Sequence, residues 1–206
     1  MKLIRLSLPF TLRNDKRYFK KQWNPSEINA SMASIQVNNP NKSIAWGAVY
    51  YQYFEDLDKV NVYKETPLIL DKQLFIKDDS KKGPVLKPVI DQTKIKIGDK
   101  ITARIIIKVD RPMDYVHLKV MRASGLEPIV QLSGYQWDGG LGYYRSPRDL
   151  ATDFFFSYLP KGTHVLEYDL RASFKGDFSD GVSTIQSMYA PEFGSHSKGI
   201  RIVIGE

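Results

Sequence analysis

The chain has 206 residues, of which 42% are hydrophobic and 26% charged, and it carries a formal net charge of +7. This composition is typical of a folded globular protein with room for one large β domain or two small ones. The chain contains no cysteine, which excludes disulfides, thiol nucleophiles and Cys-ligated metal from it, and no apolar run approaches the roughly 18 residues of a membrane-spanning helix.

The positive charge is concentrated near the N-terminus. Residues 1–64 hold 10 Lys and Arg against 5 Asp and Glu, whereas the remainder holds 20 against 18. Basic and aromatic side chains alternate there, a pattern that can grip phosphates and stack bases but is also typical of a solvated strand or loop face. No RNP-like motif or recognition helix accompanies this cluster, so we favour the solvated face and predict no nucleic-acid partner. The residues involved are Arg13, Lys16, Arg17, Tyr18, Phe19, Lys20, Lys21 and Trp23.

The N-terminal third contains two readable strands, Met32–Asn38 and Ile44–Phe54, separated by a turn at Asn39, Pro40 and Asn41. Two strands are too few to close a sandwich. We therefore predict a partial β-sheet domain over residues 1–62. The second strand carries aromatic residues on both faces, which indicates packing against a neighbour. Its candidate docking aromatics are Trp46, Tyr51 and Tyr53.

The clearest strand follows Gly98 and Asp99, where five apolar side chains alternate with polar ones. Its apolar face is Ile101, Ala103, Ile105, Ile107 and Val109, and Thr102, Arg104 and Lys108 face outward. After a turn at Arg111 and Pro112, a second strand is predicted to point Val116, Leu118 and Val120 inward and Tyr115, His117 and Lys119 outward. The short connection predicts that the two strands form an antiparallel hairpin.

Two further strands complete the pattern. One follows the Pro160 and Gly162 turn and buries Leu166, Tyr168, Leu170 and Ala172, and the last carries Ile200, Ile202 and Ile204 on one face. We expect the Tyr168 hydroxyl to hydrogen-bond across a corner of the fold. Only Ser146 to Phe156 is a candidate for a helical turn. The regular spacing of turn signals predicts an antiparallel β-sandwich over residues 65–206, so the fold class is all-β.

Aromatic residues are dense in loops and at strand ends. We expect the Phe154 to Phe156 run to fill the core. Tyr135, Trp137, Tyr143 and Tyr144 surround Gly139, Gly140 and Gly142, which favour a tight turn. Core filling and an interface are equally consistent with these four, because Tyr and Trp commonly anchor docking surfaces.

The sequence offers no constellation typical of catalysis. His117, His164 and His196 lie on separate segments without a second ligand at metal-binding spacing, and we interpret each as structural. Ser195 and His196 are adjacent, which is unsuitable for a nucleophile and its base. The acidic runs do not follow a calcium-loop pattern. We predict no catalytic residue, no metal site and no cofactor.

Four strings carry a family resemblance: AWGAVYYQYFEDLDKV at 45–60, VDRPMDYVHLKVMRASGLEPI at 109–129, DFFFSYLPKGTHVLEYDLRA at 153–172 and MYAPEF at 188–193. Together and in this order they resemble the C-terminal region of bacterial α2-macroglobulin-like proteins. The resemblance implies that residues 1–62 are the later part of a CUB-like domain and that residues 65–206 are the terminal macroglobulin-type (MG10-like) sandwich, with a fibronectin III-like fold.

Members of this family are endopeptidase inhibitors that trap proteases, and in thioester-bearing members the terminal domain covers the reactive bond through a tyrosine. The resemblance offers Tyr143, Tyr144, Met188 and Tyr189 as candidate interdomain or thioester-covering contacts. The lack of cysteine places any thioester outside this chain. The implied partners are the upstream domains of the same macroglobulin chain and, through the full-length protein, target proteases.

The resulting hypothesis is a non-catalytic scaffold and lid module of a protease trap in the periplasm or at the bacterial cell surface. The opening MKLIRLSLPF is too short and too soon polar for a signal sequence, so we expect any export signal outside the chain. The alternative is a carbohydrate- or peptidoglycan-binding β-sandwich that uses the aromatics around the glycine-rich turn as a stacking platform.

Overall fold

The chain divides into two compact units, residues 1–53 and residues 54–206. A computed structural model describes residues 4–6, 20–33, 35–37, 44, 50, 52, 54–57, 59–62, 66–80, 83–90 and 93–206. Over these ranges the regular structure consists of β-strands and two short 3-10 helices. The prediction of an all-β fold is confirmed.

In the first unit, β1 (Ile4–Leu6) pairs in parallel with β2 (Ile35–Val37). Two 3-10 helices, Pro25–Glu27 and Ala30–Ala33, precede β2. The strand predicted to start at Met32 therefore begins three residues later, because Met32 lies in the second 3-10 helix. The other predicted strand, 44–54, falls mainly outside the described residues.

The second unit contains fourteen strands in the described ranges. They are β3 (Leu68–Ser80), β4 (Gly83–Pro88), β5 (Lys94–Lys96), β6 (Lys100–Val109), β7 (Met113–Met121), β8 (Leu126–Pro128), β9 (Gly134–Asp138), β10 (Leu141–Pro147), β11 (Ala151–Leu159), β12 (Gly162–Ala172), β13 (Gly176–Ser179), β14 (Thr184–Ser187), β15 (Gly194–His196) and β16 (Arg201–Gly205).

Two antiparallel sheets form the sandwich. A six-stranded sheet has the order β15-β14-β7-β11-β10-β9, and a five-stranded sheet has the order β4-β3-β6-β12-β8. A smaller sheet, β13-β16-β5, pairs β16 with β5 in parallel. One hydrophobic core takes side chains from both large sheets, so the core lies between their inner faces.

Period-two alternation determines which side chains fill this core. In β6, Ile101, Ala103, Ile105 and Ile107 are fully buried and Val109 is 4% exposed, as predicted. The apolar residues predicted for β12 are buried in the same way. Burial of each Leu- or Ile-sized side chain contributes about 1.5–3 kcal/mol, and these two adjacent strands form the centre of the five-stranded sheet.

The prediction that β6 and β7 form an antiparallel hairpin is wrong. β6 pairs with β3 and β12, whereas β7 pairs with β11 and β14 in the other sheet. Both strands are central and both apolar faces are buried, so they face each other across the core. The Arg111–Pro112 link carries the chain from one sheet to the other, and Pro112 has no N–H to continue a ladder.

The candidate helical turn from Ser146 to Phe156 is also wrong, because this stretch contains the end of β10 and the start of β11. The connecting residues are organised by the buried Arg122 guanidinium. Its Nη1 donates to the Ala151 carbonyl (2.9 Å), and its Nη2 donates to the carbonyls of Asp149 (2.6 Å) and Arg148. The backbone carbonyls of this turn are therefore hydrogen-bonded by a side chain distant in sequence, whereas the local sequence suggested a helical turn.

Tyr168 is buried as predicted, but its hydroxyl makes no corner hydrogen bond of good geometry. The Tyr168 hydroxyl interacts with the Thr152 side chain. The Thr152 hydroxyl is also buried and has no other hydrogen-bond partner in the described chain. Burial raises the pKa of the Tyr168 hydroxyl. Thr102, predicted to face outward, is 2% exposed, and its hydroxyl donates to Asp169 Oδ1 (2.7 Å) on the paired strand.

Candidate functional site

The loop between β14 and β15, residues 188–193, is held in a fixed shape by hydrogen bonds. The Ser187 amide donates to the Phe193 carbonyl (3.0 Å), and the Phe193 amide donates to the Ala190 carbonyl (2.9 Å). Gln186 Nε2 donates to the Pro191 carbonyl (3.1 Å). The Phe193 side chain packs against the core. The loop is therefore a rigid support for the two residues at its start.

Those two residues, Met188 and Tyr189, are 58% and 80% exposed. The Met188 amide donates to the Tyr115 carbonyl (2.9 Å), and the rings of Tyr189 and Tyr115 meet edge to face with centroids 5.2 Å apart. We call Tyr115, Met188 and Tyr189 the tyrosine platform. It presents an apolar, well-supported surface at the end of the six-stranded sheet.

Tyr115 has the backbone conformation that makes this arrangement possible. Its φ is +51°, and among the described residues it is the only non-glycine with positive φ. This conformation is unfavourable for a residue with a Cβ and tends to occur at functional sites. It reverses the alternation of β7, so that Met113 and Val116 are both buried while Tyr115 is 51% exposed.

Sequence reasoning placed Tyr115 only as an outward-facing strand residue. The available signal was the spacing of the apolar residues Met113 and Val116, because a regular strand points residues three positions apart to opposite faces. The structure buries both side chains, and the change of conformation at Tyr115, which lies between them, makes this possible.

A second aromatic surface lies on the β9–β10 hairpin. Gly139 and Gly140 have φ of +58° and +80° and form the two-residue turn, which places Trp137 opposite Gly142 and Tyr135 opposite Tyr144. Tyr135 and Trp137 are 82% and 79% exposed. The Trp137 ring lies against Gly142, where an added Cβ would come within 2.6 Å of a ring carbon.

The hairpin separates the two neighbouring tyrosines that the sequence suggested as contacts. Tyr143 points inward, is 6% exposed and packs near Phe154 and Phe156 with ring centroids 5.6 and 5.8 Å away. Burial raises the pKa of its hydroxyl. Tyr144 lies on the outer face, edge to face with Tyr135 at 5.2 Å. Tyr143 thus belongs to the core, and Tyr144 supports the exposed surface.

The Phe run of β11 is divided in the same way. Phe154 and Phe156 are 1% exposed and fill the core as expected, whereas Phe155 lies on the outer face and stacks on His117 at 4.7 Å. His117 Nε2 lies 3.0 Å from Asp153 Oδ1. No group of three or more metal-ligating side chains that could hold an ion is found in the described part of the chain.

The other predicted positions are less informative. Ser195 and His196 do not interact through their side chains, since the Ser195 hydroxyl is buried without a hydrogen-bond partner in the described chain and His196 Nδ1 lies 3.1 Å from the Ser197 carbonyl. Trp46, Tyr51 and Tyr53 lie outside the described residues, so their role as docking aromatics stays a prediction.

A buried ion pair that sequence reasoning missed lies inside the sandwich. Lys72 of β3 contacts Asp180, which follows β13, and their side chains are 1% and 0% exposed. Lys72 Nζ also donates to the Met121 carbonyl, and Asp180 Oδ1 accepts from the Ala123 amide (2.9 Å). Burial raises the pKa of Asp180, and the neighbouring ammonium opposes that shift. The pair ties elements of all three sheets of this unit together.

These features define the class of the protein: an all-β sandwich module with two rigid aromatic surfaces on one of its sheets. The family model of the bacterial α2-macroglobulin MG10 domain matches residues 68–192, more than half of the chain. The chain belongs to this family and is a module of an α2-macroglobulin-like protein.

Solved macroglobulin structures share the fold. A Salmonella α2-macroglobulin variant superposes with a TM-score of 0.56 over 71% of this chain at 16% identity, and native Escherichia coli α2-macroglobulin with a TM-score of 0.57 over 71% at 13% identity. The chain spans 10% of each of those molecules. An Escherichia coli fragment running from domain MG7 to the C-terminus matches with a TM-score of 0.55 over 68% at 15% identity, and the chain spans 24% of it.

A relative found by sequence is not named as a macroglobulin. Circularly permutated Ras protein 2 of Dictyostelium discoideum is 26% identical over 113 residues, which cover 54% of this chain and 3% of that protein. In the described residues no helix is long and apolar enough to span a membrane.

Proposed function

We propose that the chain is a non-catalytic scaffold and lid module of a macroglobulin-like protease trap, and that it acts through contacts with other domains of the same polypeptide. The observation that carries the proposal is the tyrosine platform, in which a strained residue supports an 80% exposed aromatic side chain. Family membership supplies the context, and the platform supplies the means of contact.

The physical role of the platform is to exclude water from a neighbouring surface. A rigid aromatic side chain can fill a pocket with little loss of rotamer entropy and can be withdrawn intact when a two-state protein switches. Among the predicted contacts, Met188 and Tyr189 have the exposure that this role needs, whereas Tyr143 is buried. We therefore propose Tyr189 as the residue that covers a thioester or an equivalent site in another domain.

The proposal includes the organisation and location of the whole polypeptide. Residues 1–62 would form the later part of a CUB-like domain, and residues 65–206 the terminal sandwich. Proteases would be reached through the full-length protein in the periplasm or at the bacterial cell surface.

The test measures binding of this 206-residue chain to the remainder of its polypeptide, expressed separately. Tyr189→Ala should weaken binding about tenfold or more, because a central buried aromatic commonly contributes 1.4 kcal/mol or more to an interface. Tyr189→Phe keeps the ring and should bind within about twofold of the native chain. Equal binding by Tyr189→Ala would overturn the platform's role. Hydrolysis of peptides or glycans by the native chain at an ordinary enzymatic rate would overturn the non-catalytic assignment.

A further inference from the structure

The edges of the two large sheets differ in how well they are protected. An exposed strand edge pairs readily with another chain, and proteins protect such edges with short strands, proline or lysine. Edge strand β4 contains Pro84, Lys87 and Pro88, whereas β8 and β15 are three residues each and β8 ends in Pro128. Edge strand β9 has five residues, GYQWD, with neither proline nor lysine.

The register of the hairpin shows which backbone groups of β9 point outward. Across the two-residue turn, Asp138 and Leu141 form the hydrogen-bonded pair, so the alternation makes Trp137 with Gly142 and Tyr135 with Tyr144 non-hydrogen-bonded pairs. The N–H and C=O groups of Tyr135 and Trp137 therefore point away from β10. Among the described residues no strand pairs with that edge.

The side chains of β9 are as exposed as its edge. Those of Tyr135 and Trp137 lie on the outer face of the sheet, and the preceding Val130 and Leu132 are 48% and 81% exposed. Trp137 is supported from below by Gly142. An apolar edge of this kind is suited to an extended peptide, whose backbone satisfies the ladder and whose alternate side chains contact the rings.

We propose that β9 receives an extended segment from another part of the macroglobulin polypeptide, which adds to the six-stranded sheet as a seventh strand. The segment would place apolar side chains beside Tyr135 and Trp137 on the outer face. This inference rests on the proposed function, because the source of the segment follows from the chain spanning 10–24% of the macroglobulins whose fold it shares. Because no strand in the described part of the chain pairs with these outward backbone groups, they favour a peptide over a sugar, which would stack on the rings without forming backbone hydrogen bonds.

The experiment compares amide hydrogen exchange at Tyr135 and Trp137 in the 206-residue chain and in the full polypeptide that contains it. The two amides should exchange about 100-fold or more slowly in the full polypeptide, because a ladder hydrogen bond permits exchange only through local opening. Equal exchange in the two forms would overturn the proposal even if the loop at Tyr189 is protected. Protection of neither region would overturn the proposed function as well.

A matched pair of variants distinguishes the contribution of the Trp137 backbone N–H from that of its indole ring. Trp137→Pro and Trp137→Val both remove the ring, but only proline removes the outward N–H, and an edge position tolerates it. In the full polypeptide, exchange at Tyr135 should be accelerated at least tenfold more by proline than by valine. Trp137→Lys, which protects the edge by charge, is the second variant if proline prevents folding.

Two other outcomes would also refute the proposal. Protection of both amides in the 206-residue chain that increases with protein concentration would show that a second copy occupies the edge. A shift of the Trp137 indole signal on adding soluble peptidoglycan fragments to the 206-residue chain would show a glycan platform instead.

Discussion

Replacing Lys72 by methionine tests whether the buried ion pair stabilises the sandwich. The two side chains are 1% and 0% exposed, so water cannot replace the lost partner of Asp180. Removing Lys72 leaves the buried Asp180 carboxyl without its counter-charge, so it must either remain charged and unpaired or bind a proton, and either should lower the free energy of unfolding by about 3–5 kcal/mol at pH 7. Urea unfolding at pH 7, followed by circular dichroism, measures the loss. The double variant with Asp180→Asn should recover about 2 kcal/mol or more of it.

The pH dependence of the free energy of unfolding provides a second test of the same ion pair. Burial already raises the pKa of Asp180, and loss of the Lys72 ammonium should raise it further. The folded variant then retains a proton that the unfolded chain releases above about pH 3.9, so its stability falls as pH rises, by at most ~1.4 kcal/mol per pH unit up to the folded pKa. The deficit of Lys72→Met relative to the native chain should be smaller at pH 5 than at pH 7. A loss below about 1 kcal/mol, or a deficit that grows on acidification, would refute the reasoning.

Three further substitutions test local geometry. Tyr115→Gly should be more stable than Tyr115→Ala by about 1 kcal/mol in urea unfolding, because both lose the contact with Tyr189 and only alanine retains the unfavourable positive φ; a more stable alanine variant would contradict that backbone conformation. Gly142→Ala should displace the Trp137 ring at a loss of no more than about 1 kcal/mol, seen as a shifted indole NMR signal; an unchanged signal would refute the contact. Tyr168→Phe should alter stability by less than about 1 kcal/mol, since the hydroxyl lacks a well-formed hydrogen bond, and a loss above about 2 kcal/mol would show that one exists.

Alternation in the sequence predicted which face of each strand is buried, but it could not predict which strands are neighbours. β6 and β7 were both read correctly as strands, and their inward residues are buried. Their short connection suggested pairing, yet in a sandwich a short link can equally cross between sheets. Pairing depends on contacts between distant segments, such as β6 with β12, that no local pattern contains.

Buried polar groups were missed for a related reason. Lys72 lies between Leu70 and Leu74 at a spacing of two, so the strand pattern itself places a lysine on the inner face. The position of its partner Asp180, more than one hundred residues later, could not be read from that pattern. The aromatic hairpin could have been resolved further, because consecutive residues of a strand point to opposite faces, so Tyr143 and Tyr144 could not both face the core.

The outer faces of the two large sheets have different chemistry, and this difference supports a division of roles. On the five-stranded sheet, Arg104 pairs with Glu167 (2.5 Å) and Lys77 with Asp169 (2.7 Å). Partly exposed ion pairs of this kind favour contact with water. On the six-stranded sheet, the register aligns a row of rings across four adjacent strands: Tyr135, Tyr144, Phe155 and His117.

The tyrosine platform and the unprotected edge β9 belong to this same six-stranded sheet, at β7–β14 and at its opposite border. A sheet that carries aromatic rings on its outer face, a strained support at one end and an unprotected edge has the properties of an interaction layer. The charged outer face of the five-stranded sheet has the properties of a solvent-facing surface. If the module docks through the six-stranded sheet, Glu167→Gln should leave association with the rest of the polypeptide within about twofold, whereas Phe155→Lys should weaken it about tenfold or more. Pull-down with the separately expressed remainder measures both, and the reverse order of effects would assign docking to the other sheet.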